Sequence, residues 1–239
     1  MGKPNSYPTS IFLWHRITGH YTLFKKFFSK TPEPLSGLTH FIGVLLAIVG
    51  LIFLLNRPSE TKTVWHIVTF SIFGGGMILL YSASTLYHWL PGSEKTREIF
   101  RKIDHVMIFV FIAASYTPVC LVNLRGGWGW SIFGVVWGLT IAGLFLKLFK
   151  MNAPRILSTG IYLFMGWVMV IGIFPLVKSI DIHGLEWLAL GGLSYTIGAI
   201  IYAIKKPNIF PGVFGFHEVF HVFVLLGSFC HYQMVYYYV

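Results

Sequence analysis

The stretch LTHFIGVLLAIVGLIFLL, residues 38–55, carries no charged side chain and is apolar at nearly every position. As a helix it reaches most of the way across a hydrocarbon core, which takes ~20 residues at 1.5 Å each. Six further apolar runs follow at 65–89, 103–123, 128–149, 157–177, 184–204 and 214–237. Lipid offers no partners for free backbone N–H and C=O groups, so each run must close its own hydrogen bonds as a helix. The expected fold class is all-α, a polytopic membrane protein built as a seven-transmembrane helical bundle. Residues 1–36 read as a cytoplasmic or interfacial leader, and residues 37–239 as one membrane domain.

Composition agrees. Charged residues are 11% of the chain and apolar ones 55%, against roughly 25% charged in soluble domains. The opening MGKPNSYPTS has no apolar h-region, so no secretory signal is expected. Gly2 and Ser6 fit an N-acylation pattern, although a multi-span protein needs no lipid anchor. The leader segment Phe24-Lys25-Lys26-Phe27-Phe28 interleaves rings with cations and suits a membrane interface or an ordinary tail. Cys120 and Cys230 sit in apolar runs and read as packing residues.

The net charge of +10 has a topological reading that makes nucleic acid unnecessary. With the N-terminus inside, Lys3, Arg16, Lys25, Lys26 and Lys30 lie in the leader. Lys95, Arg97, Arg101 and Lys102 fall in the second loop, Lys147, Lys150 and Arg155 in the fourth, and Lys205 and Lys206 in the sixth. That is 14 of the 18 basic residues on one side, a positive-inside bias that places the N-terminus in the cytoplasm and the C-terminus outside. This orientation is opposite to that of G-protein-coupled receptors. Pro118 is expected to kink the third helix. Gly74-Gly75-Gly76, Gly191-Gly192 and the Gly134/Gly138 GxxxG pair are expected to mark close helix contacts.

Polar residues inside spans are costly and point to function. Ser84 and His88 end the second span, four apart on one face. Asp104 opens the third, and His217 and His221 open the seventh, again four apart. The end of an even helix and the start of an odd one share a leaflet, so all of these lie at one depth, cytoplasmic by the charge count. Three imidazoles, His88, His217 and His221, match a zinc site with an open fourth position for water. Such a metal lowers the water's pKa. Asp104 is the candidate catalytic group to hold that water or take its proton, and Ser84 the candidate hydrogen-bond donor to a carbonyl or oxyanion. The competing reading is three interfacial histidines bonded to carbonyls or phosphates. His217-Glu218-Val219-Phe220-His221 also spells H-E-x-x-H, in which Glu218 is either a protease base or a carboxylate at a helix N-terminus. His231 lies ~21 Å along the helix from His217 and reads as a packing or hydrogen-bonding residue. His40 shares the site's layer and is a candidate substitute ligand or lining group. His105 points away from Asp104 and reads as a non-ligand.

The pattern Ser84-x3-His88, Asp104, His217-x3-His221 resembles the progestin and adipoQ receptor superfamily, and within it the hemolysin III family. Ser82-Ala83-Ser84-Thr85-Leu86-Tyr87-His88, Thr117-Pro118, Met165-Gly166-Trp167 and Cys230-His231 extend the similarity over about residues 36–237. The resemblance implies one zinc near the cytoplasmic face on His88, His217 and His221, with Asp104 holding its water and Ser84 nearby. It also implies kinship with alkaline ceramidases, which hydrolyse lipid amides, and a place in a bacterial plasma membrane. Glu218 is outside the family pattern, which counts against a protease. The short leader counts against carrying over adipokine or steroid binding. The expected function is a zinc-dependent hydrolase of a lipid amide or ester entering from the bilayer. A non-enzymatic membrane sensor with structural zinc, and a cytolysin, stay open as alternatives.

Overall fold

The computed structural model describes residues 31–58, 62–149, 154–210 and 214–239. Gly2 and the Phe24–Phe28 segment lie outside them. The described residues form seven helices long and apolar enough to cross a membrane: α1 Pro34–Asn56, α2 Val64–Trp89, α3 Glu94–Asn123, α4 Gly127–Phe149, α5 Arg155–Ser179, α6 Ile182–Ile204 and α7 Phe216–Tyr238. They contain no β-strand beyond one isolated bridge between Phe210 and Phe214. The chain is a multi-pass membrane protein, and the seven expected runs each correspond to one helix.

The boundaries differ where polar residues extend a helix beyond its apolar run. α1 starts at Pro34, a residue whose fixed φ and missing N–H suit a first turn. It therefore includes residues assigned from sequence to the leader. α3 starts at Glu94, with the Ser93 side chain accepting from the Thr96 N–H at 3.3 Å. Glu98 and Lys102 pair across one turn at 3.0 Å. Lys95, Arg97, Arg101 and Lys102 are thus helical rather than loop residues, and Asp104 lies well inside α3. At Pro118 the helix passes into a π-turn, Val119–Asn123, with Leu124 N–H bonded to Val119 O at 2.9 Å. A proline cannot donate into the ladder, and the wider turn absorbs the defect.

In α2 and α3 more than half of the most apolar 18-residue stretch is buried inside the protein, against 39% or less in the other five. They form the centre, where Phe70, Phe73, Met77, Phe109, Ala113 and Val119 interlock. α1 packs on α2 and α7, α4 on α3, and α6 on α7. The outer faces carry Leu46, Ile171 and Phe174, exposed as lipid-facing side chains must be. Glycines set several of the close approaches. A Cβ on Gly74 would lie 2.6 Å from Leu51, and one on Gly76 2.7 Å from Ala114. One on Gly191 would lie 2.0 Å from the His231 ring.

Gly134 and Gly138 do not mark a contact: a Cβ at either meets nothing within 4 Å. The buried face of α4 is instead Gly129, Ile132, Val136, Thr140, Gly143 and Lys147. Gly134 is two residues from both Ile132 and Val136, which puts it ~200° round the helix from that stripe. Lys147, read from sequence as a loop charge, belongs to this buried face.

Candidate metal and active site

The parity of the helices brings the start of α1, the end of α2 and the start of α7 to one end of the bundle. There the rings of His88, His217 and His221 meet, with their ligand atoms all within 4.8 Å of one another. His88 Nε2 and His217 Nε2 are 3.2 Å apart. Two nitrogens on one tetrahedral ion at 2.0–2.1 Å would stand about 3.3 Å apart.

The other nitrogens show which atoms are available. His88 Nδ1 donates to Glu33 Oε2 at 2.6 Å. His221 Nδ1 donates to the Ser36 carbonyl at 3.2 Å and to Thr39 Oγ1 at 3.0 Å. The Thr39 hydroxyl proton is itself given to Ser36 O at 2.7 Å, so its lone pair faces the imidazole. In both rings the Nδ1 proton is held by a fixed acceptor, which leaves the Nε2 lone pair free. A carboxylate or carbonyl behind the ring is the usual way a ligating histidine is oriented and made more basic. The donor set therefore fits a divalent metal that accepts imidazole. The imidazole beside Glu33 holds its carboxyl below the usual carboxylate range. His40 stacks on His221 with centroids 3.6 Å apart and planes 9° from parallel. It thus lies beside the triad, outside the group that could hold a metal, and packs flat on the His221 ring.

Asp104 and Ser84 line one cavity with His217 and His221, of about 670 Å³. Ser84 is 1% exposed and is a polar neighbour of the Asp104 carboxylate. His105 Nδ1 donates to the Arg101 carbonyl at 2.8 Å and is absent from the triad. His231 lies against Tyr195, with ring centroids 5.3 Å apart, at a different part of the cavity wall. Glu218 also borders the cavity, but both of its oxygens are engaged in hydrogen bonds. One oxygen accepts from Ser36 Oγ at 2.5 Å and the other from the Gly215 N–H at 2.8 Å. It is a helix-capping carboxylate that ties α7 to α1.

Sequence reading missed Glu33, Ser36 and Thr39. The signal was present: with His40 they recur at helical spacing. Starting the first helix at Leu38 placed Ser36 outside it and set Glu33, which directly precedes the helix, five residues from its start.

The chain matches the model of the haemolysin-III-related family over residues 28–232. It is 41% identical over 201 residues to the hemolysin-3 homolog of Bacillus subtilis (strain 168), covering 84% of this chain and 91% of that one. It is 36% identical over 196 residues to hemolysin-3 of Bacillus cereus, covering 82% and 86%. Similarity extends to the adiponectin receptor protein of Drosophila melanogaster, at 27% identity over 230 residues, covering 88% of this chain and 51% of the receptor. With these matches and seven membrane-length helices, the chain is a multi-pass bacterial cell-membrane protein of the hemolysin III family, within the progestin and adipoQ receptor superfamily.

Proposed function

We propose that this protein is a zinc-dependent hydrolase acting on a lipid amide or ester at the cytoplasmic face of the membrane. The observation that carries the reading is that His88 and His221 each have Nδ1 anchored, which leaves Nε2 as the free nitrogen, in a group whose ligand atoms with His217 all lie within 4.8 Å of one another. The site end of the bundle also carries Arg97, Arg101, Lys147, Arg155 and Lys205 near its helix ends, which favours the cytoplasmic side.

His88, His217 and His221 would hold the zinc. When bound, it would supply a Lewis acid and lower the pKa of a water. Glu33 holds the His88 ring, while Ser36, Thr39 and His40 hold that of His221. The Asp104 carboxylate accepts the proton of the attacking water and returns it to the departing amine or alcohol. The Ser84 hydroxyl donates to the substrate carbonyl oxygen as negative charge builds there. Ile108, Ile112 and Leu163, on the cavity wall, exclude bulk water from the reacting groups.

The test is fatty-acid release from defined lipid amides and esters by purified protein. Release should require zinc and fall by ~10²-fold or more in Asp104→Asn while metal content is unchanged. Release unaffected by chelation or by Asp104→Asn refutes the mechanism. A chelation-dependent loss of thermal stability without turnover of any lipid would instead favour the structural-zinc sensor.

A further inference from the structure

Three cations from three helices reach the same cavity: Arg101 on α3, Lys147 on α4 and Arg155 on α5. Lys147 is 2% exposed. Its Nζ donates to Ser158 Oγ at 2.6 Å and stands 6.0 Å from the Tyr162 ring centroid. The Arg155 guanidinium lies over Tyr202 at 4.5 Å and donates to the Tyr202 carbonyl at 3.3 Å. Arg101 Nε is buried without a hydrogen-bond partner.

None of the three forms an ion pair among the described residues, and the chain has few carboxylates left to give them. It contains eight. Glu33 is bonded to His88, Glu98 to Lys102, and Glu218 to Ser36 and Gly215. Asp104 stands 3.6 Å from His105. Asp181 and Glu186 bond His183 at the start of α6, the opposite end of the bundle. Glu94 lies in the first turn of α3, and Glu60 is outside the described residues. A buried charge without a counter-ion costs several kcal/mol, so this wall is built to receive an anion from outside the chain.

Ile108, Ile112, Leu163 and Val224 line the same cavity. Its volume is within the ~300–1,000 Å³ of ligand sites. It reaches Gly166, Trp167 and Gly192 between α5 and α6, where a Cβ on either glycine would meet nothing within 4 Å and Trp167 is exposed on the lipid-facing surface. We propose that the cavity selects an anionic amphiphile, a lipid whose phosphate sits on Arg101, Lys147 and Arg155 while its chain occupies the apolar wall. This deepens the hydrolase reading by naming the charge of its substrate, and rests on that reading only for what happens after binding.

The test uses metal-free full-length protein in a neutral detergent, so that binding is read without turnover. Oleoyl lysophosphatidic acid, oleoyl lysophosphatidylcholine and inorganic phosphate are titrated separately, with binding followed by native mass spectrometry. Lysophosphatidic acid should bind about 10-fold or more tighter than the choline lipid, the worth of one charge-assisted hydrogen bond. That preference should fall toward unity in Lys147→Met and in Arg155→Gln, at a partly buried residue, which keeps the test open if the buried substitution fails to fold. Equal affinities in the wild type, or a preference retained in Arg155→Gln and any folded Lys147→Met, overturn the proposal. So does inorganic phosphate binding as tightly as the lipid. Selective binding without subsequent hydrolysis would count against the hydrolase alone.

Discussion

Removing the Glu33 carboxylate should weaken zinc binding without touching a ligand. The 2.6 Å bond from His88 Nδ1 is a charge-assisted contact to a ring that is 1% exposed. Glu33→Gln keeps an acceptor oxygen at the same reach but loses the charge. Hydrogen bonds to charged groups are worth ~1.5–3 kcal/mol against ~0.5–1.5 for neutral ones, so the loss is about 1 kcal/mol, or roughly fivefold in affinity. Glu33→Ala leaves the buried Nδ1–H with no acceptor and lets the ring turn. Changes behind a ligating histidine typically cost 10–100-fold in metal affinity, equivalent to about 1.4–2.8 kcal/mol. Zinc affinity is measured by competition with a fluorescent chelator on purified protein. The pH is held fixed because the ligands must be deprotonated to bind. The expected order is wild type, then Gln, then Ala. If Glu33→Ala binds zinc within twofold of wild type, the carboxylate does not orient the ligand and the reasoning fails.

Two further outcomes follow from the geometry. A Cβ on Gly129 would sit 2.0 Å from the Cys120 carbonyl oxygen and 2.5 Å from that of Leu124. Backbone cannot yield as a side chain can, so Gly129→Ala should cost ~1–3 kcal/mol or more, read as a lower midpoint of thermal unfolding in detergent; Gly134→Ala, with open space around it, should leave that midpoint unchanged. Glu218→Gln should destabilise by ~1 kcal/mol through weakened capping yet leave zinc affinity within a factor of about two, and a loss of hydrolytic activity in that variant with its metal retained would revive the protease reading.

The seven helices were legible because a bilayer demands long apolar runs with few charges, and the 38–55 stretch and its six successors, none with more than one Asp, Glu, Lys or Arg, satisfy that demand one by one. The histidine triad was legible for a related reason: i,i+4 pairs on α7 and the odd-even parity of helix ends are fixed before any packing is known. What packs around the triad was not. Glu33 and Ser36 precede the apolar run, and a boundary drawn on hydropathy alone excludes them. Ser36 is helical because α1 starts at Pro34, Glu33 is the residue just before that first turn, and their partners lie 55 and 182 residues away. Lys147 and Arg155 count as loop charges in any tally of sidedness, yet Lys147 lies on the buried stripe of α4. The GxxxG pair failed for the opposite reason. The motif states that two small residues share a face, and only the placement of Ile132 and Val136 shows that this face looks outward.

The central claim is that imidazoles from the second and seventh helices hold one metal ion. Elemental analysis of protein purified without added chelator tests it most directly, on the wild type and on a folded His217→Ala/His221→Ala variant. The account predicts about one equivalent of zinc per chain in the wild type and none in the variant, since three ligands are the usual complement of a catalytic site. A metal-free wild type that takes up no zinc on titration, or a variant that retains its full equivalent, would contradict it.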